Sequence, residues 1–287
     1  MSGQTAEGPT IRIPRSRSLD EKLAQLLAAG DRPSLVSGGK ELRQRDLARI
    51  AKNQLDNINE VTGLDVATSI TVLTDGLVRT LVAFAADRVQ VPADWQERVG
   101  VFALGGYGRG ELAPHSDIDL LVFHLGSRPD WLQRFNQELQ TLLWDVGFQV
   151  GASMRAAPEL ERMLAEDMVT ATAVLEQRLL VGSDAIEEEL RGIRERFRKR
   201  RGRVFLRYKV EELRERQQKA GANLFTMEPN TKTNPGCLRD IQLLRNISFI
   251  LFGSRNLHAL RDMDVIDFED VRNLFEETLQ RFGRVDA

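Results

Sequence analysis

Residues Val101–His124 read VFALGGYGRGELAPHSDIDLLVFH. Two runs within and beside this stretch, Arg98–Leu104 and Ile118–His124, are apolar, β-prone and bounded by turn formers, so both are expected to be strands. A glycine-rich turn and a short polar connection join them. Asp117 and Asp119 are two apart on the second strand and share a face, while Ile118, Leu120 and Val122 alternate toward a core. Two carboxylates on one rigid edge make a hard, oxygen-rich site suited to Mg²⁺ or Mn²⁺. Without a cation they would repel each other, and one would tend to keep a proton. Gly105 and Gly106 let backbone N–H groups approach a phosphate closely, Arg109 adds a positive charge, and Ser116 offers a hydroxyl. The run lacks the Lys-Ser/Thr ending of a P-loop and leads to a strand instead of a long helix. A bare hairpin with a glycine turn and two exposed aspartates is the bland alternative, and it leaves these features unrelated to one another.

Working outward, residues 1–17 are polar and rich in Gly, Ser, Thr and Pro, as a loose tail is. Residues 18–92 are expected to be helical. Leu19, Leu23, Leu26 and Leu27 mark a short helix ending at Gly30. Gly38-Gly39 is expected to break the chain before a helical pattern of Leu42, Leu47, Ile50, Leu55 and Ile58. A long helix follows from Asp65 to about Arg88. After the paired strands come a helix over Asp130–Val146, a third strand over Phe148–Arg155, and a helix opened by Pro158. Another helix is expected to run through Leu180, closed by Gly182. The longest helical stretch, Ala185–Lys219, is intensely basic over Arg191–Arg203, but acidic runs flank it and Phe197 is the one aromatic there. A solvated face is the expectation, with nothing to single out nucleic acid. A loop over 221–236 leads to amphipathic helices over Leu238–Phe252 and Asp267–Phe282. The absence of a clear terminal signal suggests the front part of something longer.

Composition narrows the class. The 287 residues suffice for a sizeable core, and the net charge of -2 gives no global pull toward nucleic acid or an anionic membrane. The single cysteine, Cys237, forms no internal disulfide framework and suits a reducing cytoplasm. His115, His124 and His258 are too scattered for a zinc cluster, and neither a membrane span nor a signal peptide is read. A cytoplasmic protein is expected.

The glycine turn followed by Asp-x-Asp on a strand resembles the nucleotidyltransferases of the DNA-polymerase-β superfamily. GGYGRGELAPHSDIDLL is similar, more closely, to the signature of the bacterial PII-protein uridylyltransferase family. LLWDVGFQVGASMR (Leu142–Arg155), AEDMVTATAVLEQRLLVGS (Ala165–Ser183) and EPNTKTNPGCLRDIQLL (Glu228–Leu244) extend the likeness in the same order. The resemblance implies an α+β fold with a small mixed sheet of the polymerase-β type flanked by helices. A nucleotidyltransferase core over 93–183 would lie between the helical lead-in and a helical domain over 184–287 that completes the cleft. It implies Asp117 and Asp119 as metal ligands, Gly105, Gly106 and Ser116 around the triphosphate, UTP as donor, and a tyrosine of a PII-type signalling protein as acceptor, with pyrophosphate released. Lys232 and Arg239 would reach phosphates across the cleft, or Arg239 and Asp240 would pair locally and cap a helix. Departures stand out within the matching stretches: Phe148–Arg155 holds no acid where many superfamily members place a third carboxylate, Ala152 replaces a bulkier polar residue, and Cys237 replaces a glycine. Gln149 could supply only a weak carbonyl ligand there. The same chemistry with ATP or another acceptor, or a binding module without turnover, are the alternatives.

Overall fold

A computed structural model describes residues 17–221, 230–234 and 236–255. The expected helix over Asp267–Phe282 and most of the expected 221–236 loop lie outside them. Contacts divide the described residues into one unit up to Ile193 and a second from Arg194 onward.

In the first unit, α1 (Arg17–Ala28), α2 (Arg32–Asp56) and α3 (Gly63–Val89) precede the sheet. Helix α3 is fixed at its start by a capping box: the Thr62 hydroxyl accepts from the Asp65 N–H, and the Asp65 carboxylate accepts from the Thr62 N–H. By length and composition α3 could cross a membrane, but its apolar surface is largely buried inside the protein. Leu73, Leu77, Leu81 and Ala85 make it a core helix packed on α1 and α2.

The expected break at Gly38-Gly39 is absent, and α2 runs through both residues. Asp31 caps its first turn by accepting from the Ser34 N–H, and Pro33 stands at its start, where its missing N–H costs nothing. The glycines serve packing. A Cβ on Gly38 would lie 2.4 Å from Leu26, and one on Gly39 would lie 3.4 Å from Val146. Tertiary contact outweighs the low helix propensity of glycine here.

After a 3₁₀ turn at Trp95–Glu97, β1 (Val99–Leu104) leads into a one-turn helix, α4 (Gly105–Gly108), and β2 (Ile118–His124) follows. Next come α5 (Asp130–Asp145), β3 (Val150–Ala156), α6 (Ala157–Glu166), α7 (Met168–Leu175) and β4 (Arg178–Val181). The sheet order is β3-β2-β1-β4, with β1 antiparallel to both neighbours and β2 parallel to β3. This is the small mixed sheet expected from the sequence, in an α+β fold. Strand β4 is a correction: the helical stretch taken to run through Leu180 ends at Leu175. Its short LEQRLLV pattern is apolar in either state, and pairing with β1 decides it.

Ile118, Leu120 and Val122 share a core with α3 and with Leu132, Phe135, Leu139 and Leu142 of α5. On the other face Phe102 and Phe123 meet edge to face at 6.1 Å. Helix α8 (Asp184–Gly221) begins in this unit, burying Ile186, Leu190 and Ile193. In the second unit its continuation packs on α9 (Leu238–Phe252): Arg194 stacks 4.9 Å over the Phe249 ring, and Gly202 lies against Ile250.

At the far end of β2, His124 is buried. Burial, then the positive charge of Arg128, push its pKa below the usual histidine value, while Glu159 and the Leu125 backbone pull the other way. The unfolded chain therefore takes up this proton at a higher pH than the folded one, and stability is lost as pH falls below about 6.5. The melting temperature is expected to drop between pH 7.5 and 5.5, and His124→Phe is expected to flatten that drop in a calorimetric pH series.

Candidate active site

The register of β1 with β2 pairs Leu104 with Asp119. The glycine turn leaving β1 and the aspartates entering β2 are thereby brought to one end of the sheet. Asp119 lies in β2, and Asp117 lies just before its first residue, not on the strand itself. Both aspartates are exposed, with Ile118 buried between them.

Two glycines flank the Asp119 carboxylate. A Cβ on Gly105 would sit 3.7 Å from its Oδ2, and one on Gly151, its partner on β3, would sit 2.5 Å from its Oδ1. Gly105 also has φ +54°, in the left-handed region where glycine is strain-free. Partial desolvation, and then the Asp117 charge, hold the Asp119 carboxyl above the ordinary carboxylate range. A dication would relieve that cost, so this donor set of two carboxylates fits Mg²⁺ or Mn²⁺, with remaining ligands from water and phosphate oxygens. No cluster of three or more His, Cys, Asp or Glu suited to a metal occurs among the described residues. The position opposite Asp119 on β3 is Gly151, in line with the acid-free strand read from the sequence.

Ser116 organises the approach to Asp117: its Oγ accepts from the Ala113 N–H at 3.0 Å, and its own N–H donates to the Ala113 carbonyl. Accepting uses a lone pair, so the hydroxyl proton stays available to a phosphate. Gly106 stands in the first turn of α4, whose leading N–H groups have no partner within the helix. Arg109 is placed differently from a free phosphate ligand. Its guanidinium is mostly buried, paired with Glu111 at 2.7 Å and with Glu176. Burial works against its charge, but the Glu176 and Glu111 carboxylates more than offset that and tighten its hold on the proton.

Lys232 and Arg239 belong to the second unit. Both are exposed, and Arg239 pairs with Glu212 at 3.6 Å. Asp240 accepts from the N–H of Gly236, ahead of the start of α9, at 2.7 Å, while its ion partner is Arg216 and not Arg239.

Three residues near the site escape a sequence reading that looks only for motifs. Arg178 and Asp75 are both buried, joined by two hydrogen bonds of 2.7 and 3.0 Å. Glu176 is buried beside them. The available signal was Asp75 inside the apolar run TVLTDGLV, and Glu176 and Arg178 inside LEQRLLV.

Known proteins carry the assignment further. A nucleotidyltransferase-domain model matches residues 90–219, and the GlnD PII-uridylyltransferase model matches residues 204–281. A bifunctional uridylyltransferase/uridylyl-removing enzyme of Phenylobacterium zucineum is 34% identical over 263 residues, covering 88% of this chain and 27% of the relative. The chain is homologous to the nucleotidyltransferase part of PII-uridylyltransferases. A second member from Cereibacter sphaeroides is 35% identical over 248 residues (81% of this chain, 26% of the relative), and one from Pseudomonas putida is 36% identical over 169 (58% and 19%). The chain thus spans about a quarter of the length of the first two of these relatives, in their nucleotidyltransferase part. A glutamate-ammonia ligase adenylyltransferase model also matches, over residues 6–138, which include the glycine turn and both aspartates.

Proposed function

We propose that this chain carries a metal-dependent nucleotidyl transfer: UMP passes from UTP to a tyrosine of a PII-type protein, and pyrophosphate is released. The observation that carries the reading is the pairing of Leu104 with Asp119, which brings the glycine turn and the aspartates to one end of the sheet. The relatives' names supply the uridylyl group. In this reading the acceptor oxygen bonds to the α-phosphorus as the bond to the departing pyrophosphate breaks, and the phenolic proton is lost. Gly105, Gly106 and Ser116 hold the triphosphate, and Arg109 fixes the turn from behind. Asp117 and Asp119 would hold Mg²⁺ or Mn²⁺, which when bound neutralises phosphate charge and polarises the α-phosphate. The cytoplasm, where UTP and a reduced Cys237 are expected, is the proposed location.

The adenylyltransferase match over the same site favours a second reading, in which ATP is the donor and another protein the acceptor. Incubation with Mg²⁺, each α-labelled nucleotide in turn, and either a PII protein or a glutamate-ammonia ligase separates the two. Label passing from UTP supports the first, label from ATP the second, and nucleotide binding without transfer under any condition would contradict both.

Gly151 gives a sharper prediction. A Cβ there meets the end of the Asp119 side chain, not backbone, so the carboxylate turns aside and the sheet stays paired. Gly151→Ala is expected to weaken Mg²⁺-dependent nucleotide binding about 10- to 100-fold with little change in melting temperature. Titration calorimetry alongside thermal unfolding checks both halves.

A further inference from the structure

We infer that Glu176 and Arg178, backed by Asp75, are positioning residues that hold the glycine turn in place against Asp119. This deepens the nucleotidyl-transfer reading and rests on it.

The segment from Glu176 to Arg178 touches three consecutive residues of the turn. Arg178 donates through Nη2 to the Tyr107 carbonyl at 3.3 Å and lies 5.7 Å over the Tyr107 ring. The backbone of Gly108 presses on the Glu176 carbonyl so closely that a Cβ would be 1.9 Å from its oxygen. The Glu176 carboxylate takes the Arg109 guanidinium. Arg178 is itself fixed on two sides, by pairing with Ala103 across β4 and β1 and by the Asp75 carboxylate of α3. The turn is therefore held from behind, at Tyr107, Gly108 and Arg109, while Gly105 faces Asp119.

Stability alone is a poor reason for this arrangement. A buried ion pair costs desolvation that its attraction only roughly offsets, and apolar residues of similar volume often serve as well. An arginine fork offers direction instead: it grips two carboxylate oxygens and still reaches a carbonyl in a fixed plane. Direction is what a turn with three glycines in Gly105–Gly108 lacks, because glycine restricts the backbone least.

The test is the double variant Asp75→Leu/Arg178→Met, which replaces the pair without leaving a lone buried charge, together with Glu176→Gln, which keeps the side-chain shape. Each is compared with the wild-type chain for thermal unfolding, Mg²⁺-dependent UTP binding, and the KM for UTP and for a PII acceptor. The expected result is a folded protein whose UTP affinity falls and whose UTP KM rises about 10- to 100-fold, with the acceptor KM unchanged. If the double variant does not fold, Glu176→Gln decides. Folded variants that bind UTP as the wild type does would overturn the inference. A wild-type chain that binds no nucleotide would instead overturn the underlying reading, and the inference with it.

Discussion

Replacing Asp117 and Asp119 together by alanine is expected to lower nucleotidyl transfer by about a thousandfold or more and to abolish metal-dependent nucleotide binding. The fold is expected to be unaffected. Both side chains are exposed at the sheet's end, and neither contributes to the apolar core that Ile118, Leu120 and Val122 share with α3 and α5. Removing them also removes the desolvation and mutual repulsion that raise the Asp119 pKa. Asp119 binds its proton more tightly folded than unfolded, so above the unfolded value its ionised form opposes folding. The variant should therefore melt no lower than the wild type at neutral pH. Parallel thermal unfolding and nucleotide titration would show the dissociation: binding gone, stability kept. A variant that loses both together would mean that the aspartates serve the fold.

Gly108→Ala is expected to have the reverse signature, a large loss of stability. The added methyl would fall 1.9 Å from the Glu176 carbonyl oxygen and 2.8 Å from that of Ala103, and both obstacles are backbone. Neither can rotate away. Relief requires α4 to lift or β1 and β4 to part where Ala103 pairs with Arg178. A clash of this kind costs about 3 kcal/mol or more, or a fall of about 10 °C in Tm for a unit of this size. Gly63→Ala is the matched control. Gly63 opens α3, and a Cβ there meets nothing within 4 Å. The control is expected to be neutral or slightly stabilising, since alanine is the better helix former.

The sheet was legible because its strands rest on local signals. Strand β2 falls on Ile118–His124 as its alternation implies, and α9 on Leu238–Phe252 as its periodicity and Gly253 imply. What was not legible depends on long-range packing. Nothing local tells Gly38-Gly39 that Leu26 and Val146 will occupy the space that their missing side chains leave. The four residues of β4 carry no alternation that separates a strand from the end of a helix, and only pairing with β1 settles their state. Arg109 shows the same limit at the site. Its position in a glycine turn suggests a phosphate ligand, but Glu176, 67 residues further on, takes its guanidinium. Asp75 and Arg178 are 103 residues apart, and their pairing becomes visible only when α3 and β4 are packed.

The most direct test is a titration of UTP into this chain, first with Mg²⁺ and then with the metal removed by a chelator. Saturable binding with Mg²⁺ is expected to disappear on chelation and to return when metal is restored. Binding of equal strength without metal, or binding that survives the loss of both Asp117 and Asp119, would contradict a metal site at these two aspartates.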